Sequence, residues 1–198
     1  MFGFLGRLFI RRRLEIEVDF TKLRLVRPAF ALYKSFRDGV REHKRCCTED
    51  FGYPKVSTRR KFRRYTEELE DLRIGLGLAI GRVPSSAFWL TDGKHYLGSG
   101  DVRHRVNKSL KTFGGHIGYS IRPAVQNKGL GTIQLKLLLR EAKKLGIQTA
   151  RITCFDENAA SARIIEKCGG VLVDKVYNEI RGEQRLTRLY DVNTDEKR

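Results

Sequence analysis

Ile117-Gly-Tyr-Ser-Ile-Arg-Pro-Ala-Val-Gln-Asn-Lys-Gly-Leu-Gly131 is the stretch on which the reading of this chain turns. Its first six residues alternate well enough for a strand, and Pro123 ends that strand because proline has no N–H for a ladder. Gly129 and Gly131 then punctuate a turn leading into a long run with helical apolar spacing. Such a turn can aim the backbone N–H groups of Gln126, Asn127, Lys128, Gly129, Leu130 and Gly131 at one point. There the unpaired donors and positive end of the helix attract phosphate oxygens, and glycine leaves room for the anion to approach. The spacing is neither that of a P-loop, which needs Lys-Ser/Thr after its second glycine, nor the three-glycine pattern of a dinucleotide fold.

Downstream, residues 147–154 read as a strand and Asn158-Ala-Ala-Ser-Ala-Arg-Ile-Ile-Glu-Lys-Cys-Gly-Gly170 as a short helix with a glycine stop. Taken together, Gln-x-x-Gly-x-Gly on 126–131 and the run through Asn158, Ser161, Ile164, Ile165, Glu166, Lys167 and Gly169 resemble the two signatures of the GNAT superfamily of N-acetyltransferases. The stretches Val83-Pro-Ser-Ser-Ala-Phe-Trp-Leu90 and Arg103-His-Arg105 resemble a subgroup of predicted acetyltransferases. The resemblance spans residues 23–191 and implies a GNAT acyl-CoA N-acyltransferase fold of the α/β (α+β) kind. Such a fold has a mixed, mostly antiparallel sheet of about six to seven strands, splayed between the fourth and fifth, with about four helices.

The same resemblance implies acetyl-CoA as co-substrate, no metal, and direct transfer of the acetyl group to a primary amine. Backbone groups of Tyr119, Ser120, Ile121 and Arg122 would hold the pantetheine and polarise the thioester. The pyrophosphate would rest on residues 126–132, and Asn158 with Ser161 would meet the pantetheine or thiol end. The chain departs from the family at two places. A Tyr often stands where Ile165 is, and a Glu or His base where Gly115 is. His116 and Tyr119 are the substitutes put forward as catalytic residues, with His104 and Tyr177 as further options. Strand alternation aims His116 at the opposite face unless a bulge re-registers it.

Around this centre the pattern predicts a strand at 23–27, helices at 29–44 and 62–72, and a hairpin of 87–91 with 96–106 turning at Asp92-Gly93. A fourth strand over 114–122 and late strands at 171–176 and 185–191 complete the order. Residues 23–192 form the domain, with a polar tail at 193–198. Residues 1–22 are an apolar and basic extension, in which Leu14, Ile16, Val18 and Phe20 alternate as an extra strand whose apolar start packs on the domain or on a second subunit in a homodimer. Positive charge follows the apolar stretch instead of preceding it and no small-residue cleavage site is seen, so export is not expected. The alternative for the apolar start and Arg11-Arg12-Arg13 is an amphipathic anchor on an acidic membrane or partner.

The 198 residues, 40% of them hydrophobic, suit one globular domain. Four cysteines without metal-ligand spacing or a disulfide framework fit a cytoplasmic protein. The net charge of +17 exceeds what coenzyme A needs and disfavours a basic small acceptor such as a polyamine. Contact with RNA or a ribosome, for instance at aminoacylated tRNA, is one alternative to a small-metabolite or protein amine. A non-catalytic acyl-CoA-binding module is another.

Overall fold

The computed structural model describes residues 16–46, 54 and 56–195. Among the described residues, seven strands form two antiparallel sheets. β1 (Arg24–Val26), β2 (Ser85–Thr91), β3 (Tyr96–Arg103) and β4 (Ile117–Ile121) lie side by side in chain order. β5 (Thr149–Phe155), β6 (Val171–Ile180) and β7 (Glu183–Asn193) make the second sheet in the order β5-β7-β6. The expected break between the fourth and fifth strands is therefore complete enough to give two sheets, each of them wholly antiparallel.

Five helices are described: α1 (Tyr33–Cys46), α2 (Arg59–Ile74), α3 (Lys108–Thr112), α4 (Leu130–Lys144) and α5 (Ala159–Lys167). α4 presents Leu135, Leu138 and Ala142 at helical spacing, all fully buried against Phe88, Val102 and Ile117 of the first sheet and Ile152 and Tyr190 of the second. Truncating either leucine to alanine removes about 2–5 kcal/mol, so α4 is the element that ties the two sheets together. α1 and α2 cover the opposite face of the first sheet, where Phe36, Phe62, Trp89 and Tyr96 form an aromatic cluster; Phe36 stacks on Trp89 at 4.3 Å between centroids. Face assignment follows from register. Trp89 pairs with Ser99, which pairs with Ser120, so these three share the α1/α2 side, while Phe88, Gly100 and Tyr119 share the α4 side.

Boundaries differ from the sequence expectation where side chains intervene. The third strand stops at Arg103 because Asn107 caps α3, its Oδ1 accepting from Leu110 N at 3.0 Å. β4 begins at Ile117 instead of Gly114 because Gly114 and Gly115 have φ of 100° and 61°. β6 and β7 are longer than expected, joined by Arg181 and Gly182 at φ 54° and 83°, the left-handed pair of a tight hairpin. Of the strand expected in the N-terminal extension, residues 1–15 lie outside the described residues. Ile16 to Asp19 are not a strand, since the Asp19 carboxylate caps a 3-10 turn at Phe20–Lys22, accepting from Thr21 N at 3.0 Å. Asp92 orders the β2–β3 turn, its Oδ1 accepting from Lys94 N at 2.9 Å and His95 N at 2.7 Å.

Candidate active site

β4 and β5 touch at one end only. His116 N–H donates to Arg151 O at 2.6 Å, Arg151 N–H donates to His116 Nδ1 at 2.9 Å, and Gly114 N–H donates to Thr153 Oγ1 at 2.9 Å. From this stitch the two strands diverge, leaving a wedge. Arg122 N–H donates to Leu97 O on β3 at 2.8 Å, so alternation along β4 turns the N–H and C=O groups of Tyr119 and Ile121 away from β3 and into the wedge. The Gln126 side-chain amide meets one of them, donating to Ile121 O at 3.1 Å.

The turn at the head of α4 closes the wide end. Asn127 and Gly129 have φ of 62° and 78°, and Gly129 stands at the N-cap with no side chain satisfying the first N–H groups of the helix. Left-handed residues alternating with right-handed ones turn consecutive N–H groups inward as an anion nest. A Cβ at Gly131 would stand 2.6 Å from Ile164 Cδ1, so glycine there keeps α4 and α5 close across the cavity.

A cavity of about 490 Å³ fills this space. It brings together Tyr119, Ser120, Ile121, Gln126, Asn127, Gly129, Leu130, Gly131, Thr132, Asn158 and Ser161. Asn158 caps α5, its Oδ1 accepting from Ser161 N at 2.9 Å, and the Tyr119 hydroxyl lies 3.0 Å from Ser161 Oγ. Burial raises the Tyr119 phenol well above its ordinary range, so it is a protonated hydroxyl at neutral pH.

Two residues of the expected site are placed outside the lining. The buried Arg122 side chain points to α1, where Nε and NH2 grip Glu42 Oε2 and Oε1 at 3.0 and 2.5 Å and NH1 donates to Ser35 Oγ at 3.1 Å. Lys128 Nζ donates to Ile16 O at 3.4 Å. The proton-handling candidates also separate. Tyr119 lines the cavity, whereas His116 is held in the β4–β5 stitch by its Nδ1. Burial lowers its pKa, first by desolvation and then through Arg151, which keeps the ring a neutral acceptor there. His104 lies with Nε2 2.9 Å from Ser86 Oγ, and Tyr177 is exposed on β6.

Arg163, Lys167 and His43 line the cavity; of the three the sequence singles out only Lys167, as part of the second signature and with no site role. The first two are spaced i, i+4 on α5, one cationic stripe at the mouth. His43 ends the buried stripe Tyr33, Phe36, Val40 of α1, and burial lowers its pKa. Among the described residues no cluster of His, Cys, Asp or Glu is placed to hold a metal, and no helix is long and apolar enough to cross a membrane.

A wedge between two sheets, headed by a helix N-terminus with two left-handed residues, leaves room for an extended chain along β4 and for an anion at the head of α4. The family described as "Acetyltransferase (GNAT) domain" matches residues 23–171, and the chain belongs to it. Solved structures share the fold at low identity. The microcin C7 self-immunity acetyltransferase MccE, in complex with acetyl-CoA and AMP, is 18% identical with a TM-score of 0.66, covering 87% of this chain and 92% of its own. An acetyltransferase from Salmonella typhimurium that modifies the N-terminal serine of ribosomal protein L7/L12 is 16% identical with a TM-score of 0.64, covering 88% and 96%. The acetyltransferase yncA of the same organism, with acetyl-CoA, is 16% identical with a TM-score of 0.59, covering 88% and 94%. No curated protein sequence matches the chain.

Proposed function

We propose that this chain is an acetyl-CoA-dependent N-acetyltransferase that moves the acetyl group directly to a primary amine in a ternary complex. The observation that carries this reading is the wedge itself. The unpaired edge of β4 runs from the anion nest of residues 126–132 to the Tyr119–Ser161 pair, along one cavity. The thioester of acetyl-CoA supplies an activated acetyl group and a thiolate leaving group.

This chain's residues do the rest. The first N–H groups of α4, with Arg163 and Lys167, bind the phosphates. The edge groups of Tyr119 and Ile121 receive the pantetheine amides as a neighbouring strand would, and orient the thioester carbonyl toward a backbone N–H. Ser161 holds the Tyr119 hydroxyl, which stays protonated at neutral pH and gives its proton to the departing thiolate.

Structural neighbours act on amines of different size, including ribosomal protein N-termini and, in Vibrio cholerae, spermidine. Here Arg59, Arg60, Lys61, Arg63 and Arg64 are exposed on α2, which packs with α1 on one face of the first sheet. They favour an amine carried on an acidic molecule. They also give a second reading, an acetyltransferase that docks on RNA, in which retention on RNA falls steeply as salt rises.

Calorimetry with acetyl-CoA, followed by thiol release across a panel of primary amines, tests the proposal. Gly129→Val and Gly131→Val should each weaken acetyl-CoA by about tenfold or more, 1.4 kcal/mol per decade. Wild-type affinity in both variants refutes the binding mode. Binding without thiol release from any amine makes the chain an acyl-CoA-binding module instead.

A further inference from the structure

We infer that Asp101 of β3 receives the ammonium group of the acceptor and takes its proton. The inference rests on the acetyltransferase reading above and names the group on the acceptor side that this reading leaves open.

Asp101 pairs with Gly118 of β4 and therefore lies on the α1/α2 face, in the same polar column as Ser99 and Ser120. A Cβ at Gly118 would stand 2.7 Å from Asp101 Oδ1 and 3.7 Å from Arg103 NH2, so the carboxylate overhangs β4 beside the Arg103 guanidinium. One oxygen is anchored. Oδ2 accepts from Ser85 Oγ at 3.1 Å and lies 3.3 Å from Arg103 NH2. Arg103 is itself fixed, its NH1 donating to Gly114 O at 2.9 Å and Gly115 O at 3.2 Å, beside the β4–β5 stitch. The other oxygen, Oδ1, takes no hydrogen bond from the described residues, and 34% of the side chain is open to solvent. A carboxylate fixed by one oxygen and open at the other, on the α1/α2 face of the sheet, is placed to hold a cation.

Gly115 explains why this role falls to β3. A Cβ there would stand 2.3 Å from Arg151 O, which leaves no room for a base on β4 at that position. Asp101 reaches over Gly118 from the neighbouring strand. The charged groups that face it are Arg103 and Arg82. Burial raises its pKa against their opposing effect, which brings the carboxylate closer to the operating pH of a base.

In the step itself, R–NH3⁺ binds at Oδ1 and passes one proton to the carboxylate, directly or through one water. The freed nitrogen forms a C–N bond to the acetyl carbon as the C–S bond breaks. The thiolate takes a proton from Tyr119, the excess proton left on the new amide nitrogen passes through water to the Tyr119 phenolate, and Asp101 returns its own proton to solvent.

Two measurements test this. In carbon-13 NMR of aspartate carboxyls, with the Asp101 signal assigned by Asp101→Asn, n-butylammonium added to the coenzyme A complex should shift that signal and lower its titration midpoint. A signal that does not move overturns the inference whatever the turnover. In thiol release with acetyl-CoA and either n-butylamine or a serine-initiated tripeptide, Asp101→Asn should lower kcat/KM by about a hundredfold or more and remove the ascending limb of the pH profile. Acetyl-CoA affinity by calorimetry should stay at the wild-type value. Asp101→Glu should keep part of the rate, and Gly118→Ala, which displaces Oδ1, should lose it. Wild-type turnover in Asp101→Asn, or an intact pH limb, overturns the inference, as does loss confined to His43→Gln, which would move the base to α1. Failure of wild type to bind acetyl-CoA strikes the broader reading, and the NMR shift separates that result from this one.

Discussion

Gly115→Ala probes the closed end of the wedge. The new Cβ would stand 2.3 Å from Arg151 O, 2.9 Å from Arg151 C and 3.2 Å from Ile152 Cα. All three are main-chain atoms of β5, so no rotamer change relieves the overlap. The strands must part by about 1 Å to restore ordinary contact. That movement pulls His116 N–H from Arg151 O and Arg151 N–H from His116 Nδ1, two hydrogen bonds of about 1 kcal/mol each. Forcing alanine to the glycine's φ of 61° adds about 1–2 kcal/mol. The sum is about 3–4 kcal/mol, which for a domain of this size lowers Tm by roughly 6–16 °C. Gly146→Ala is the control, since Gly146 has φ of 78° and nothing within 4 Å of the added methyl, leaving only the backbone cost. Thermal unfolding followed by circular dichroism compares the two. Equal losses in Gly115→Ala and Gly146→Ala would falsify the account of the stitch.

Two further outcomes follow from the ion pairs and imidazoles around the wedge. Arg122→Met strands Glu42, whose side chain keeps 24% of its exposure, and should cost about 2–4 kcal/mol in urea unfolding, somewhat less than a fully buried pair. Arg122→Met/Glu42→Leu should recover most of it, and a double variant as unstable as the single one contradicts the pairing. Burial lowers the pKa of His116, so the folded state prefers the neutral ring. Its contribution is present above the unfolded value near pH 6.5 and is lost as pH falls below that toward the folded pKa. The urea midpoint should drop between pH 7.5 and 5.5, and less so in His116→Gln. His43 and His104, also lowered, keep part of the slope; an identical slope in His116→Gln rules out the assignment.

Much of this architecture was legible because its signals are local. Pro123, the two glycines and the Asn158 cap announce strand, nest and helix within a few residues, and alternation placed most of the strands. What escaped the sequence depends on partners distant in the chain. Arg122 sits in a strand-to-turn sequence that reads as a binding element, yet Glu42, eighty residues earlier, claims its side chain. His116 could have faced the cavity; the two left-handed glycines before it deliver its ring to Arg151. Asp101 was not singled out by the sequence, because a polar residue in a strand carries no direction until its register against Gly118 is known. Arg163 and Lys167 carried an i, i+4 signal that the sequence alone could not distinguish from a solvated helix face.

Open strand edges invite further strands, and proteins guard them. β6 is guarded in the ordinary way, with Asp174, Lys175 and Glu179 interrupting the exposed Val171, Val173 and Tyr177. β4 has no such charges along the hydrogen-bonding row of Tyr119 and Ile121, and its protection is depth. A second sheet is too thick to follow that row between the two diverging sheets, but a single extended thread of amides is not. Confinement converts what would be an aggregation hazard on a flat surface into a slot with a size limit.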